Sequence, residues 1–397
     1  MNRFITFLLI LVSCSVGVAS ARCQGQDDLR QPAGAPSRDI LTAEEWKRVD
    51  RSIERGLEYL ISQQAADGSF PTREKNGQPG VTSLCVMSFL ANGYLPDEGK
   101  YGEELRKAVE YVRSLQTESG VIAFAHPKQG AKISRRFEHY TGKTVAYGHV
   151  LASLMLCEVY GMTGGVEDLV DETVIQRCLD VSLKMHRWPK PREVDRGGWR
   201  YAQKQHDAES DLSLTGWQLM FLRSAKGAGF DVPAETIDEA VQYVLRCYRP
   251  DYGTFNYFIR GAEDRRSRGM AGAGILALAH AGMHNRKEAQ AAGDWILQHG
   301  FEQYNDKMEF DQAKTGWFND CYHYGVFYCC QGMYQLGGEH WNSFFPKTSR
   351  VVIDNQEPKG SWPACNSLAK PYGQCYSSAL SILALSAPNQ LLPIFHR

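Results

Sequence analysis

The sequence predicts an all-α protein of six helical hairpins closing into one double ring of twelve helices. Three observations carry this expectation. A turn, with glycine in five of its six occurrences and usually followed by an aromatic residue, recurs along the chain; each turn joins an amphipathic helix to a more uniformly apolar one; and the last hairpin ends within a dozen residues of the C-terminus.

The chain has 397 residues, 43% hydrophobic and 22% charged, which is a globular composition. Its 44 lysines and arginines nearly balance 45 acids, for a formal net charge of −1. Such a chain lacks the overall attraction expected of a general nucleic-acid binder, so nucleic acid is not an expected partner. The 17 phenylalanines, 19 tyrosines and 8 tryptophans supply more ring surface than core packing needs, which suggests a ring-lined cavity.

At the N-terminus, Arg3 precedes an apolar run from Phe4 to Val12, and Ala19-Ser20-Ala21 follows. This reads as a signal peptide over 1–21 and places the protein in the periplasm or outside the cell. The alternative is a lipobox, Leu11-Val12-Ser13-Cys14, which would lipidate Cys14 and tether the chain to a membrane face. No later segment is expected to reach the roughly 20 apolar residues that span a bilayer. A polar linker with Pro32, Gly34 and Pro36 covers 22–41, and the folded unit is expected over 42–390. The cysteines after the leader, scattered from Cys23 to Cys375 without a CxxC pair, suggest two or three disulfides plus buried thiols.

The first helix starts at Thr42-Ala43-Glu44-Glu45, which has capping-box spacing, and Trp46, Val49, Ile53, Leu57 and Leu60 follow on one face. The turns fall at positions 68, 120, 198, 253, 308 and 360, spaced by 52, 78, 55, 55 and 52 residues. Five intervals, four of them alike and one lengthened by an insertion, are the mark of a repeat architecture. The amphipathic helix before each turn belongs outside, and the apolar one after it belongs inside. The inner helices are expected from Val81, Ala146, Leu212, Met270, Tyr324 and Tyr376. Small residues such as Ala271-Gly272-Ala273-Gly274 would let inner helices approach closely. An open solenoid needs polar caps and has no preferred repeat number, whereas six units favour closure.

The run Arg55-Gly56-Leu57-Glu58-Tyr59-Leu60-Ile61-Ser62-Gln63, followed by Gly68-Ser69-Phe70, resembles the glutamine-tryptophan repeat of squalene cyclases. Gln116 before Gly120, and Gln356 before Gly360-Ser361-Trp362, repeat it in shorter form. The span 42–390 thus resembles the prenyltransferase and squalene oxidase repeat superfamily, and the resemblance implies an α/α toroid. Lys370-Pro371-Tyr372-Gly373-Gln374-Cys375-Tyr376-Ser377 is similar to the segment of protein prenyltransferase β subunits that holds diphosphate and zinc. Lys370, Cys375 and Tyr376 fall on the matching positions, while Gly373 stands where an aspartate ligand should be.

In such a ring the loops between outer and inner helices share one mouth, where the inner helices point their N-termini. Asp211, His323 and Tyr376 are the candidate catalytic groups, although Asp211 also reads as an N-cap. Lys370, Arg265 and Arg268 are candidates for an anionic head, and Trp199, Trp217 and Tyr372 for an apolar or cationic body. A mixed set of Asp320, Cys321, His323 and Cys375 would suit zinc, whereas a disulfide involving Cys321, Cys365 or Cys375 explains the thiols without metal. The Asp-x-Asp-Asp run that squalene cyclases use as general acid is absent from the sequence.

Three function classes remain. The first binds or transforms an isoprenoid or other elongated lipid, with a small hydrophobic or anionic-headed ligand as partner. The second is a polysaccharide lyase or hydrolase in which Asp211, His206, Tyr201 or His323 does acid–base work. The third is a non-catalytic protein-interaction scaffold. Oligomeric state is not legible in the sequence.

Overall fold

A computed structural model describes residues 36–73, 78–124, 135–165, 169–201, 209–259, 265–306, 321–364 and 369–396. The expected leader, Cys14, Cys23, His206, Asp320, Cys365 and the fifth turn near 308 lie outside them. Twelve α-helices alternate along the described chain. The outer set is α1 (Ala43–Gln63), α3 (Gly102–Ser114), α5 (Glu172–His186), α7 (Ala234–Arg246), α9 (Lys287–Gln298) and α11 (Gly338–Asp354). The inner set is α2 (Gln78–Leu90), α4 (Arg135–Thr163), α6 (Leu212–Gly227), α8 (Arg268–His280), α10 (Tyr322–Leu336) and α12 (Gly373–Leu385). The strand content among the described residues is one two-residue pair, Tyr248–Arg249 (β1) against Thr254–Phe255 (β2).

The inner helices pack in the order α2, α4, α6, α8, α10, α12 and back to α2, so the protein is a closed α/α toroid. Burial explains why they are apolar all round: every residue of α2 from Pro79 to Leu90 is buried. The same cause corrects one expectation. Thr144–Thr163 is long and apolar enough to cross a membrane, yet most of it is buried inside the ring, and its apolarity is that of an inner helix. Outer helices keep a polar face; α1 begins with the expected capping box between Thr42 and Glu45 and buries Val49, Ile53, Gly56, Leu57 and Leu60.

One turn geometry recurs around the ring. Gly68, Gly120, Gly197 and Gly360 all have φ between +86° and +95°. A Cβ on each would lie 2.1–2.6 Å from a carbonyl oxygen of the following outer helix, so only glycine fits. In the third turn this role falls to Gly197, not to position 198 as the spacing implied. A glutamine clamps three of the turns. Gln64 donates to Gly68 O at 3.0 Å and across to Glu104 O of α3 at 2.9 Å, and Gln116 donates to Val174 O of α5 at 3.0 Å. Gln356 donates to Gly360 O and to Ser52 O of α1, both at 2.8 Å, and so joins the last hairpin to the first.

In four of the hairpins a residue just after the turn then locks to its inner helix. The backbone N–H of Phe70, Trp199 and Trp362 donates to Thr82, Thr215 and Ser378 hydroxyls at 3.0–3.1 Å. In the second hairpin Ile122 N–H donates to His149 Nδ1 at 3.2 Å, a histidine standing where the others use a hydroxyl. Burial pushes that histidine down to about 4, so it stays neutral and able to accept. Gly272 lies where a Cβ would meet the Tyr328 and Cys329 backbone within 2.7 Å, the close approach that the small residues of α8 allow. Cys85, Cys157, Cys178, Cys247, Cys330 and Cys375 are buried thiols, a correction to the expectation that several of the cysteines pair.

Candidate functional site

The inner helices run parallel, so their N-termini gather at one end of the ring. The other end is closed by the C-terminal segment, where the Phe395 ring packs 6.2 Å from Phe327 and Gln335 Nε2 donates to Phe395 O at 2.7 Å. The end at which the inner helices start is the mouth of the ring, and one wall of it is built by the third and fourth turns. The backbone N–H of Asp211 donates to Trp199 O at 3.0 Å, and that of Leu212 to Tyr257 O at 2.8 Å, which zips the two loops together. Asp211 caps α6: one carboxylate oxygen accepts Leu214 N–H at 2.8 Å, and the other accepts Arg200 Nη1 at 2.7 Å.

Arg200 lies over the face of Tyr201, with its guanidinium carbon 4.0 Å from the ring centroid, and its Nη1 also donates to the Tyr257 hydroxyl at 3.2 Å. The Tyr201 and Tyr257 hydroxyls are 2.6 Å apart. A second chain crosses the mouth, Tyr147 to Ser213 at 2.7 Å and Ser213 to Tyr324 at 2.6 Å. Below it, Trp217 stacks on Phe327 at 5.5 Å and 6° and meets Tyr324 and Tyr328 edge-on. Burial, then the nearby Asp211 charge, pushes the Tyr201 phenol up to about 12 and those of Tyr147 and Tyr257 well above their ordinary value. At neutral pH these phenols carry their protons, so they are hydrogen-bond donors and cation-stabilising faces rather than bases.

Another wall holds Tyr376, its ring tilted at 44° and 5.3 Å from that of Tyr372, with Cys321 and Tyr324 close enough to raise its phenol further. Asp211 and Cys321 both lie within electrostatic range of Tyr324, and Cys321 also of Tyr376. His323 and Cys375 are turned elsewhere. The Nε2 of His323 pairs with the Tyr304 hydroxyl at 2.8 Å, which donates in turn to Pro363 O at 3.0 Å. Burial pushes this histidine down to about 3. Cys375 sits against Cys85 and senses Tyr59 of α1, its thiol pushed up to about 12 by burial. Among the described residues no three potential ligands converge, and His323 and Cys375 of the expected zinc set have different partners, while Asp320 lies outside the described residues.

The other expected binding residues divide likewise. Arg268 is 1% exposed and bound at 2.8 Å to Asp306 and at 3.1 Å to Gly300 O, with Phe301 4.0 Å from its guanidinium carbon. Arg265 lies over Phe258 at 4.9 Å, and Lys370 is exposed. Trp199 is wholly buried between the rings, its indole donating to Ser182 O at 2.9 Å, whereas Trp217 does lie beneath the mouth. The residues that sequence reasoning underweighted are Arg200, Tyr147, Tyr257 and Tyr324. A signal for one was present: Tyr201 and Tyr257 each stand four residues after a turn glycine, Gly197 and Gly253.

No protein-family model matches the chain, and no curated protein matches it. Solved structures do. The type II terpene cyclase MstE from Scytonema aligns over 87% of this chain and 99% of its own at a TM-score of 0.53 and 11% identity. A variant of it in complex with geranylgeranyl dihydroxybenzoate aligns over 88% and 100% at 0.52 and 9%. A GH76 α-1,6-mannanase from Salegentibacter sp. HEL1_6 aligns over 86% and 99% at 0.58 and 12%. At such identities the likeness is one of fold, and the α/α toroid is common to all of them.

Proposed function

We propose that the protein is an exported binding protein of the toroid mouth, taking an isoprenoid or comparable elongated apolar ligand against the aromatic floor. The observation that carries this reading is the buried ring cluster in which Trp217 stacks on Phe327 and meets Tyr324 and Tyr328 edge-on, with the Tyr324 hydroxyl joined through Ser213 to Tyr147. An apolar chain laid on such rings gains about 25 cal/mol for each Å² removed from water. The ligand of the MstE variant is a molecule of this kind, which supports the reading by analogy of fold. Cyclase chemistry is not part of the proposal. A cyclase needs an acid that gives a proton to an alkene, and both oxygens of Asp211 serve as acceptors.

A second reading rests on the hydroxyl chains Tyr201–Tyr257 and Tyr147–Ser213–Tyr324, which offer directed hydrogen bonds of the sort a sugar needs. The mannanase likeness supports it equally. Titration of tryptophan fluorescence with geranylgeraniol and with α-1,6-mannotriose separates the two. The expected result is quenching by the lipid that disappears in Trp217→Phe. Stabilisation by mannotriose, with no response to lipid, would overturn the first reading in favour of the second.

A further inference from the structure

We propose that Arg200 anchors a carboxylate-headed ligand at the mouth, received side-on by its Nε and Nη2. The inference rests on the apolar-ligand reading only for what the rest of the molecule looks like; the head group is argued from Arg200 itself. Its Nη1 donates to both Asp211 and Tyr257. Nε is buried without a partner, although the side chain is only 17% exposed. A donor left unpaired at such burial is costly, and it becomes favourable when an acceptor arrives.

The fork is also held in place. Asp211 is fully buried and fixed by Leu214 N–H, so Nη1 is pinned from one side while the Tyr201 face lies 4.0 Å from the guanidinium carbon. That leaves the Nε–Nη2 edge in one orientation, matched to the two coplanar oxygens of a carboxylate. Charge selects the carboxylate over a diphosphate. Asp211 already offsets Arg200, and the phenols of Tyr201 and Tyr257 are neutral donors. Lys190, the further cation in range of Asp211, shares its field with Asp195. The balance suits a monoanion and leaves a multiply charged head under-compensated.

Isothermal titration of the full chain with farnesoic acid, farnesol and farnesyl diphosphate tests this. The acid should bind about ten- to a hundredfold more tightly than the alcohol. Arg200→Gln should abolish that difference, read as the ratio of acid to alcohol affinity on the same variant. Arg200→Lys, which keeps a cation beside Asp211 and guards against misfolding of the first variant, should lose most of it, because an ammonium has no fork. Equal affinity for acid and alcohol, a difference that survives in Arg200→Gln, or preference for the diphosphate would each overturn the inference. A digalacturonate separates the two proposals. If it binds and needs Arg200 while farnesol does not bind, the apolar reading fails and the carboxylate anchor stands. If farnesol binds and neither carboxylate gains from Arg200, the anchor fails and the apolar reading stands.

Discussion

Glu158 is 1% exposed on α4, where Oε1 accepts from Ser224 at 2.5 Å and Oε2 from Ile394 N–H at 3.1 Å, so it ties two inner helices to the segment that closes the ring. Burial pushes its carboxyl from the ordinary 4.5 up to about 7, the two hydrogen bonds opposing the shift. The folded chain holds the proton to about pH 7 while the unfolded chain releases it near 4.5, so stability falls as pH rises through that window. Glu158→Gln removes the charge and keeps an oxygen for Ile394 N–H. It should therefore stabilise the protein by about 3 kcal/mol at pH 8 and by close to nothing at pH 4, as read by urea unfolding. An equal gain at both pH values would refute this account. Single residues were also where the site was least legible. Asp211, Tyr376 and Trp217 stand out in the sequence and do gather at the mouth. The direction of His323, Cys375 and Arg268 could not be read, because all three lie at or near inner-helix starts and only packing decides which face each takes. Arg200 was not singled out, because its ring support is its own neighbour Tyr201 while the hydroxyl it donates to belongs to Tyr257, a residue of the next repeat.

At the scale of the element, the turns draw on three locks: a left-handed glycine against the next outer helix and an N–H given to the inner helix at four turns, and a glutamine clamp at three of those. The helices and their order were legible from periodicity, since outer helices need a polar face and inner ones do not. The turn register was less so. Gly197 and Gly198 are adjacent, and only the positive φ of the first, with a Cβ that would fall 2.1 Å from Glu239 O, distinguishes them. The lock formed by His149 was not readable at all, because sequence patterns expect serine or threonine at that position. The glycine geometry makes a graded prediction. Gly197→Ala combines a strained φ of +86° with that collision and should cost about 3 kcal/mol or more. Gly229→Ala has a φ of +95° but nothing within 4 Å, and should cost about 1–2 kcal/mol. Thermal melts of the two variants check the order, and equal losses would show that the contact with the outer helix carries no energy.

For the whole molecule, closure makes the energetics differ from those of a linear repeat array. In an open stack each terminal unit has one neighbour, and its loss removes one interface and leaves the rest folded. Here α12 packs on both α10 and α2, and α1 packs on α11 and α12. The last turn reaches the first hairpin directly, through Gln356 to Ser52 O and through Gly360, whose backbone lies against Arg55 O. Even the entry to the fold is held by its end, since Trp341 Nε1 donates to Ser37 O at 3.1 Å. Removing the sixth hairpin thus breaks two interfaces at once and bares the apolar flanks of both α2 and α10, which are buried along nearly their whole length. A chain ending at residue 336 should lose helical circular dichroism far beyond the fraction of residues removed and should melt without a cooperative transition. Adding the fragment from residue 338 to the C-terminus in trans should restore both, because the missing surfaces are complementary on two sides. If the five-hairpin chain instead keeps its helicity per residue and unfolds cooperatively, the inner ring holds together by neighbour contacts alone and closure contributes nothing to the fold.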